Sequence, residues 1–513
     1  MLLYNAILKG GRDYPERTAL ISITEKLSYR ELAERVNRLG NSLRSRGVTK
    51  GDYVAVLLPN CPEFVISYYA ISAIGAICVP ANPLLKSAEL SYLWNDAGVM
   101  MAITNPALLK GVTQTAPEVS ALQAIICTGD DIHNEPNVLL FNELLAEASS
   151  EEIQTTGLLA NDPAVCIYTS GTTGRPKGAQ LSHKNLTTNC TQFSEPIEIT
   201  PNDNFLCVLP LFHSFAATVC MNTPLHTGGT CTLVELFHPA RVTESIEKNG
   251  VTVFAGVPAM YSALLNHRYE HTPDLSTVRV CISGGAPMPV SMMQEFENRF
   301  NVIMIEGDGP TECSPVTSVN PLRGTQKPGS IGLPLPGVQM KIMDSDDREL
   351  AVDEIGEIVV RGDNVMLGYL NQPEATAEAM KNGWYHTGDL GKKDEDGFFF
   401  IVDRKKDMLI VGGLNVYPKE VEEVLYAHPA VMQAAVIGAP DRLRGEMVVA
   451  VIVLKPDKLA ADHEIIKFCR ERLANYKAPR RVLFRESMPL GGTGKVLKRL
   501  LRKEMEMEMQ EAI

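Results

Sequence analysis

The chain has 513 residues, more than one hydrophobic core usually serves, so at least two domains are expected; 45% of the residues are apolar and 21% charged, the balance of an ordinary globular protein. Asp and Glu outnumber Lys and Arg by 61 to 48, and the net charge of −13 argues against nucleic acid as a partner, because nonspecific binding needs a basic footprint. Eleven cysteines, scattered and never spaced Cys-x-x-Cys, indicate neither a disulfide framework nor a thiolate zinc site and point to a reducing cytoplasm. Met1 to Lys9 lack the charged leader and apolar core of a secretory signal. Tyr29 to Arg46 is predicted helical and Tyr53 to Leu58 a strand. Phe64 to Leu85 carry no charge, yet Gly75, Pro80, Asn82 and Pro83 break the run into a buried helix, a strand and a turn rather than a membrane span. Peripheral membrane contact and a homodimer are left open. Ala124 to Cys127, Ala164 to Ile167 and Val278 to Ile282 are predicted strands, and their alternation with helices implies an α/β fold with largely parallel, buried sheets.

From Gly337 to Val402 the pattern changes to short strands with Gly- and Asp-rich turns, which predicts a β-rich subdomain. The charged run Asp403-Arg404-Lys405-Lys406-Asp407 follows, then a second α/β run in which Pro418 to Leu425 starts as a helix, with Pro in the first turn and Glu near it. Lys498 to Glu511 reads as a charged amphipathic helix.

The most informative stretch is Tyr168-Thr169-Ser170-Gly171-Thr172-Thr173-Gly174-Arg175-Pro176-Lys177-Gly178. Glycines let backbone N–H groups approach phosphate oxygens, the hydroxyls donate further hydrogen bonds, and Lys177 adds a cation. A Gly/Thr-rich surface turn is the competing explanation. The loop is not a Walker A element, and Gly494-Lys495 is followed by Val496, so a P-loop kinase is disfavoured.

On this loop, which ends in Pro-Lys-Gly, the chain resembles the adenylate-forming enzymes, a family that includes acyl-CoA synthetases, luciferases and the adenylation domains of peptide synthetases. The resemblance runs from Leu27-Ser28-Tyr29-Arg30-Glu31-Leu32 to Gly494-Lys495. It implies a large N-terminal domain of layered α/β subdomains with a β-rich subdomain (about 337–402), residues 1–403, and a small mobile α+β domain, residues 404–513. Implied substrates and cofactors are a carboxylic acid, ATP, Mg2+ and coenzyme A. A carboxylate is a poor acyl electrophile; attack on the α-phosphate of ATP makes an acyl-adenylate, which a thiol then opens. The charge that builds up calls for metal ions, cations and oriented donors.

The resemblance assigns residues 169–174 (Thr169, Ser170, Gly171, Thr172, Thr173, Gly174) and Lys177 to the β- and γ-phosphates, with Thr169 also near the metal. In Glu306-Gly307-Asp308-Gly309-Pro310-Thr311-Glu312 it places Thr311 at the α-phosphate and Glu312 on Mg2+, with Asp308, Gly309 and the run Gly284-Gly285-Ala286 beside the nucleotide. Taken alone, Thr-Glu after Gly-Pro also suits a helix start. Asp308 departs from the family, which usually has a Tyr there that flanks the adenine; a carboxylate cannot stack and near phosphates must turn away or be paired, so weaker nucleotide binding is expected. Asp389, in Tyr385-His386-Thr387-Gly388-Asp389, is expected to accept from both ribose hydroxyls, Arg404 to lie on the ribose or phosphate side, and Lys406 to be the hinge. Lys495 would bridge the acyl carboxylate and the α-phosphate. Gly412 and Gly413 resemble a turn lining the pantetheine tunnel, and His213 sits where the family gates the acyl pocket, though a satisfied core histidine is equally in keeping with that position.

Phe212-His213-Ser214-Phe215 lacks the Asp that peptide-synthetase domains use for an amino group, and Thr311 to Pro321 looks most like fatty acyl-CoA synthetases. A medium- or long-chain fatty acid is therefore the expected substrate, with Ala216, Ala217, Thr218, Val219 and Met221 as candidates to line an apolar slot, although a core role suits several of them equally. An aromatic or alicyclic acid is the nearest alternative, and a nucleotide-binding protein without turnover is an alternative of another class.

Overall fold

The computed structural model describes residues 1–129, 137–169, 175–441, 443–491 and 495–511. Two large sheets organise the N-terminal part. In the first, the strands Met304–Asp308, Val280–Ser283, Val253–Gly256, Asn204–Cys207, Thr230–Leu233 and Thr18–Ile21 lie side by side and parallel, with Ser318–Val319, Leu333–Pro334 and Lys26–Ser28 added antiparallel at the edges. In the second, Pro163–Thr169, Ile77–Pro80, Tyr53–Leu57, Val99–Thr104, Ala124–Cys127 and Val138–Leu140 run parallel, and Lys177–Ser182 and Gly368–Tyr369 close one edge antiparallel. The central strands are apolar on both faces, as parallel strands covered on both sides must be.

The uncharged run divides as its breakers predict: a helix over Pro62–Ala73, then the Ile77–Pro80 strand. Pro62 opens the helix, and Phe64 to Ala73 are all buried, so this helix is apolar all round and lies inside the protein. One continuous core takes in Val54, Val165, Leu206 and Phe254 from the two sheets together with Phe64, Tyr68 and Ile71 of this helix. No helix among the described residues is long and apolar enough to cross a membrane. The Tyr29–Ser45 helix starts where Ser28 accepts from the Glu31 N–H and Glu31 Oε2 accepts from the Ser28 N–H at 2.8 Å, and it buries Leu32, Val36, Leu39 and Leu43 along one face. All eleven cysteines are free thiols, and all but Cys61 are buried.

The stretch from 337 to 402 is β-rich, built on Gln339–Met343, Gly356–Arg361, Met380–Lys381, Trp384–Lys393 and Phe399–Arg404 in antiparallel pairs. Its last strand runs through Arg404. The next sheet begins at Leu409–Val411, which forms a hairpin with Leu414–Val416 and joins the long antiparallel pair Val431–Asp441 and Gly445–Leu454. Leu409, Val421, Leu425, Val436, Ala450 and Ile465 make a core of their own beneath the Pro418–Tyr426 and Asp462–Arg470 helices. A separate core makes this a separate folding unit.

Phe64 is fully buried, so Phe64→Ala is expected to cost about 3–5 kcal/mol, seen as a lowered urea midpoint for the N-terminal unit with the C-terminal transition unmoved.

Candidate active site

The strand Pro163–Thr169 turns back into Lys177–Ser182, with Thr169 opposite Lys177 and Tyr168 opposite Gly178. Both ends of the connection are pinned. The Tyr168 hydroxyl donates to Asp96 Oδ2 at 2.6 Å, the Tyr92 hydroxyl donates to the Pro176 carbonyl at 3.2 Å, and the Arg175 guanidinium lies 5.3 Å from the centre of the Tyr92 ring. Ser170, Gly171, Thr172, Thr173 and Gly174 lie outside the described residues; the strand pairing sets Thr169 beside Lys177.

Lys177 Nζ sits 5.1 Å from the centre of the Tyr369 ring, and the Tyr369 hydroxyl donates to Glu312 Oε1 at 2.8 Å. One ring thus joins the cation of the loop to the buried carboxylate expected to hold metal. It does so because Tyr369 pairs with Ala179 in a two-residue strand, while the Met366 N–H donates to the Glu312 carbonyl at 2.7 Å. Nothing in the spacing around Gly368-Tyr369-Leu370 marks this residue; its place follows from a tertiary strand pairing. Glu312 and Thr169 offer hard oxygen donors, the chemistry that fits Mg2+. Thr311–Cys313 forms one tight turn after Pro310, not the start of a longer helix, and Thr311 Oγ1 lies 3.0 Å from Ser214 Oγ.

Asp389 and Arg404 are direct partners in register across antiparallel strands, and Arg404 Nε donates to Asp389 Oδ1 at 3.1 Å. Asp308 ends the Met304–Asp308 strand, its carbonyl accepting from the Thr317 N–H at 2.9 Å, and its side chain shares the field of Asp389, Arg404 and Lys495. Burial first, then the neighbouring Asp389, pushes the Asp308 carboxyl up, while Arg404 and Lys495 pull it back. Burial likewise raises Asp389 against the pull of Arg404 and Lys495. The departure thus places a buried carboxyl in the combined field of Asp389, Arg404 and Lys495.

Lys495 reaches into this cluster from the C-terminal unit. Its Cε would be 3.4 Å from a Cβ at Gly285, whose φ of +78° already favours glycine. Burial, then Arg404, lowers the Lys495 pKa, and Asp308, Asp389 and Glu312 oppose that shift. His213 is driven down to about 3 by burial and by Lys495, so its imidazole is neutral near neutral pH. The Phe215 N–H donates to His213 Nδ1 at 3.3 Å, which leaves the ring proton on Nε2. The Phe215 ring lies on Gly284, where a Cβ would meet its Cζ at 3.1 Å.

Gly412 and Gly413 form the tip of the hairpin between Leu409–Val411 and Leu414–Val416, with φ of +61° and +81°, and nothing lies within 4 Å of a Cβ built on either. The turn itself requires glycine here. The tip is exposed, with nothing packed on it in this arrangement, whereas Lys406, exposed like Arg404, lies in the field of Asp389 and Arg404. Gly309 and Ala286 are half-buried beside it in sequence and strand order.

Residues 9–370 match the model of the AMP-binding enzyme family, and residues 420–495 match that of the AMP-binding enzyme C-terminal domain. The chain is 38% identical to a long-chain-fatty-acid–CoA ligase of Bacillus subtilis (strain 168), over 96% of this chain and 92% of the relative. It is equally 38% identical to a feruloyl-CoA synthase of Amycolatopsis sp, over 97% of each. Among solved structures, the anthranilate CoA ligase AuaEII in complex with anthranoyl-AMP superposes with a TM-score of 0.95 at 28% identity, covering 99% of this chain and 98% of that one.

Tyr369→Phe keeps the ring under Lys177 and removes the donor to Glu312. It is expected to raise the Mg2+ concentration for half-maximal activity roughly tenfold, the scale of one hydrogen bond to a charged group, in a metal titration at saturating ATP; an unmoved midpoint would contradict the coupling.

Proposed function

The chain belongs to the AMP-binding enzyme family and is an adenylate-forming CoA ligase acting on a carboxylic acid, ATP and coenzyme A with Mg2+, and on that premise we propose that its acid is a medium- or long-chain fatty acid. The observation that carries this is the segment that follows His213. Ala216–Asn222 is a wide helical segment, closed by a Thr223 N–H donating to the Thr218 carbonyl five residues back, and its side chains are buried and mostly small or apolar. It follows directly on Phe212-His213-Ser214-Phe215, which holds no carboxylate for an amino group. The similarity to a long-chain-fatty-acid–CoA ligase supports the same substrate. An aromatic acid is the second proposal, favoured by the equal similarity to a feruloyl-CoA synthase. The unpaired, mostly buried thiols support a cytoplasmic site of action.

The residues divide the chemistry as follows. The carboxylate oxygen attacks the α-phosphorus, a new P–O bond forms, and pyrophosphate leaves. Lys177 and the 169–174 loop meet the β- and γ-phosphates, and Thr311 meets the α-phosphate. Glu312 and Thr169 would hold Mg2+, which when bound would supply positive charge against that building up on the phosphates. Asp389 accepts from the ribose hydroxyls, with Arg404 at its side. Lys495 brings the acyl carboxylate and the α-phosphate together, and neutral His213 offers its Nε2–H without adding charge. In the second step the thiol attacks the acyl carbon and AMP leaves. That step needs Lys495 withdrawn, so the C-terminal unit turns about Lys406 and carries the Gly412-Gly413 tip toward a thiol tunnel on the N-terminal domain.

A panel of fatty and aromatic acids with ATP, Mg2+ and CoA is expected to give highest kcat/KM for medium- or long-chain fatty acids; preference for a cinnamic or benzoic acid would select the second proposal. Lys495→Ala is expected to abolish adenylation, seen as loss of pyrophosphate exchange, while largely sparing thioester formation from supplied acyl-adenylate. Asp308→Tyr, by restoring a stacking ring, is expected to lower the KM for ATP by about 3- to 10-fold; an unchanged or higher value would show that Asp308 does not weaken nucleotide binding.

A further inference from the structure

Asp389 stands in an irregular part of its strand. Glu357 pairs with Leu390 and Val359 with His386, so two steps along Gly356–Arg361 span four along Trp384–Lys393. The extra residues bulge out, which aims a side chain but interrupts the ladder and leaves backbone groups in need of partners. Gly388, at φ +75°, is the centre of the bulge. Its N–H donates to Glu357 Oε1 at 3.0 Å, and its carbonyl accepts from the Lys405 N–H at 3.0 Å. The other Glu357 oxygen, Oε2, lies 3.4 Å from both Lys405 Nζ and His386 Nδ1. The Glu357 side chain is only 14% exposed. One carboxylate therefore holds the residue before Asp389 and the residue after Arg404.

We propose that Glu357 is a positioning residue for the nucleotide ribose, acting through the Gly388 N–H to hold Asp389 at its aim and through Lys405 to hold the residue that follows Arg404. This rests on the proposed role of Asp389 toward the ribose. A charge-assisted hydrogen bond to the bulge suits the task, because it is directional and short-ranged where the ladder is broken. Nothing in the spacing of Gly356-Glu357-Ile358 marks the residue; the register shift brings it under Gly388.

The test compares ATP with 2′-deoxy-ATP in the pyrophosphate-exchange reaction of the full-length enzyme. The unmodified enzyme is expected to prefer ATP; if it does not, the ribose role of Asp389 fails. Glu357→Leu removes the acceptor, and Glu357→Asp draws it back by one methylene while keeping the charge, so the test survives should the leucine variant not fold. Both are expected to raise the KM for ATP roughly tenfold with kcat changed far less, and to shrink the preference for ATP over 2′-deoxy-ATP toward unity. Glu357→Gln keeps an acceptor for the Gly388 N–H and is expected to retain most of the preference. An unmodified enzyme that discriminates, with aspartate and leucine variants that discriminate as strongly at unchanged KM, would overturn the proposal.

Discussion

The cleft depends on a balance of charge. Asp308, Asp389 and Glu312 bring three carboxyl groups to one region, and burial there raises Asp308 and Asp389 above the usual carboxylate range. Arg404 and Lys495 oppose that repulsion, and Lys495 in turn would lose its proton more readily without those acids. Neither set of charges is comfortable in the cleft alone. The two polypeptide units therefore meet through an exchange of fields as well as through contact, and a triphosphate entering the cleft would compete with the acids for the same cations.

Much of the architecture could be read along the chain because local signals agreed with one another. Ser28 and Glu31 mark the start of the Tyr29–Ser45 helix, and Gly75 and Pro80 cut the uncharged run where the Pro62–Ala73 helix gives way to a strand. The predicted strand Val278 to Ile282 lies two residues later at its start, over Val280–Ser283, because the strand begins where the pairing with Val253 does. Pro418 opens its helix as expected. The glycine-rich loop was recognisable from composition, and its two flanking residues, Thr169 and Lys177, do face each other across a hairpin.

What stayed hidden is what tertiary pairing decides. Tyr369 enters the site on a strand of two residues, too short to carry a periodic signal, and Glu357 matters only because the ladder slips by two residues opposite it. Ser214 lies against Thr311 although 97 positions separate them. The wide turns of Ala216–Asn222 have no compositional mark either, since small and apolar residues suit an ordinary helix equally well. Asp308 was visible as a departure, yet its surroundings among Arg404, Lys495 and Asp389 come from strands and loops far apart in the chain.

The cross-strand partnership of Arg404 with Asp389 belongs wholly to the β-rich sheet, whereas Lys495 arrives from the neighbouring unit. Any swing of that neighbour beyond residue 404 removes one cation and leaves the other in place. On the ribose role proposed for Asp389, the anhydride made in the first half of the cycle would keep its sugar anchored while the rest of its surroundings is exchanged, and would be spared escape into water during the changeover.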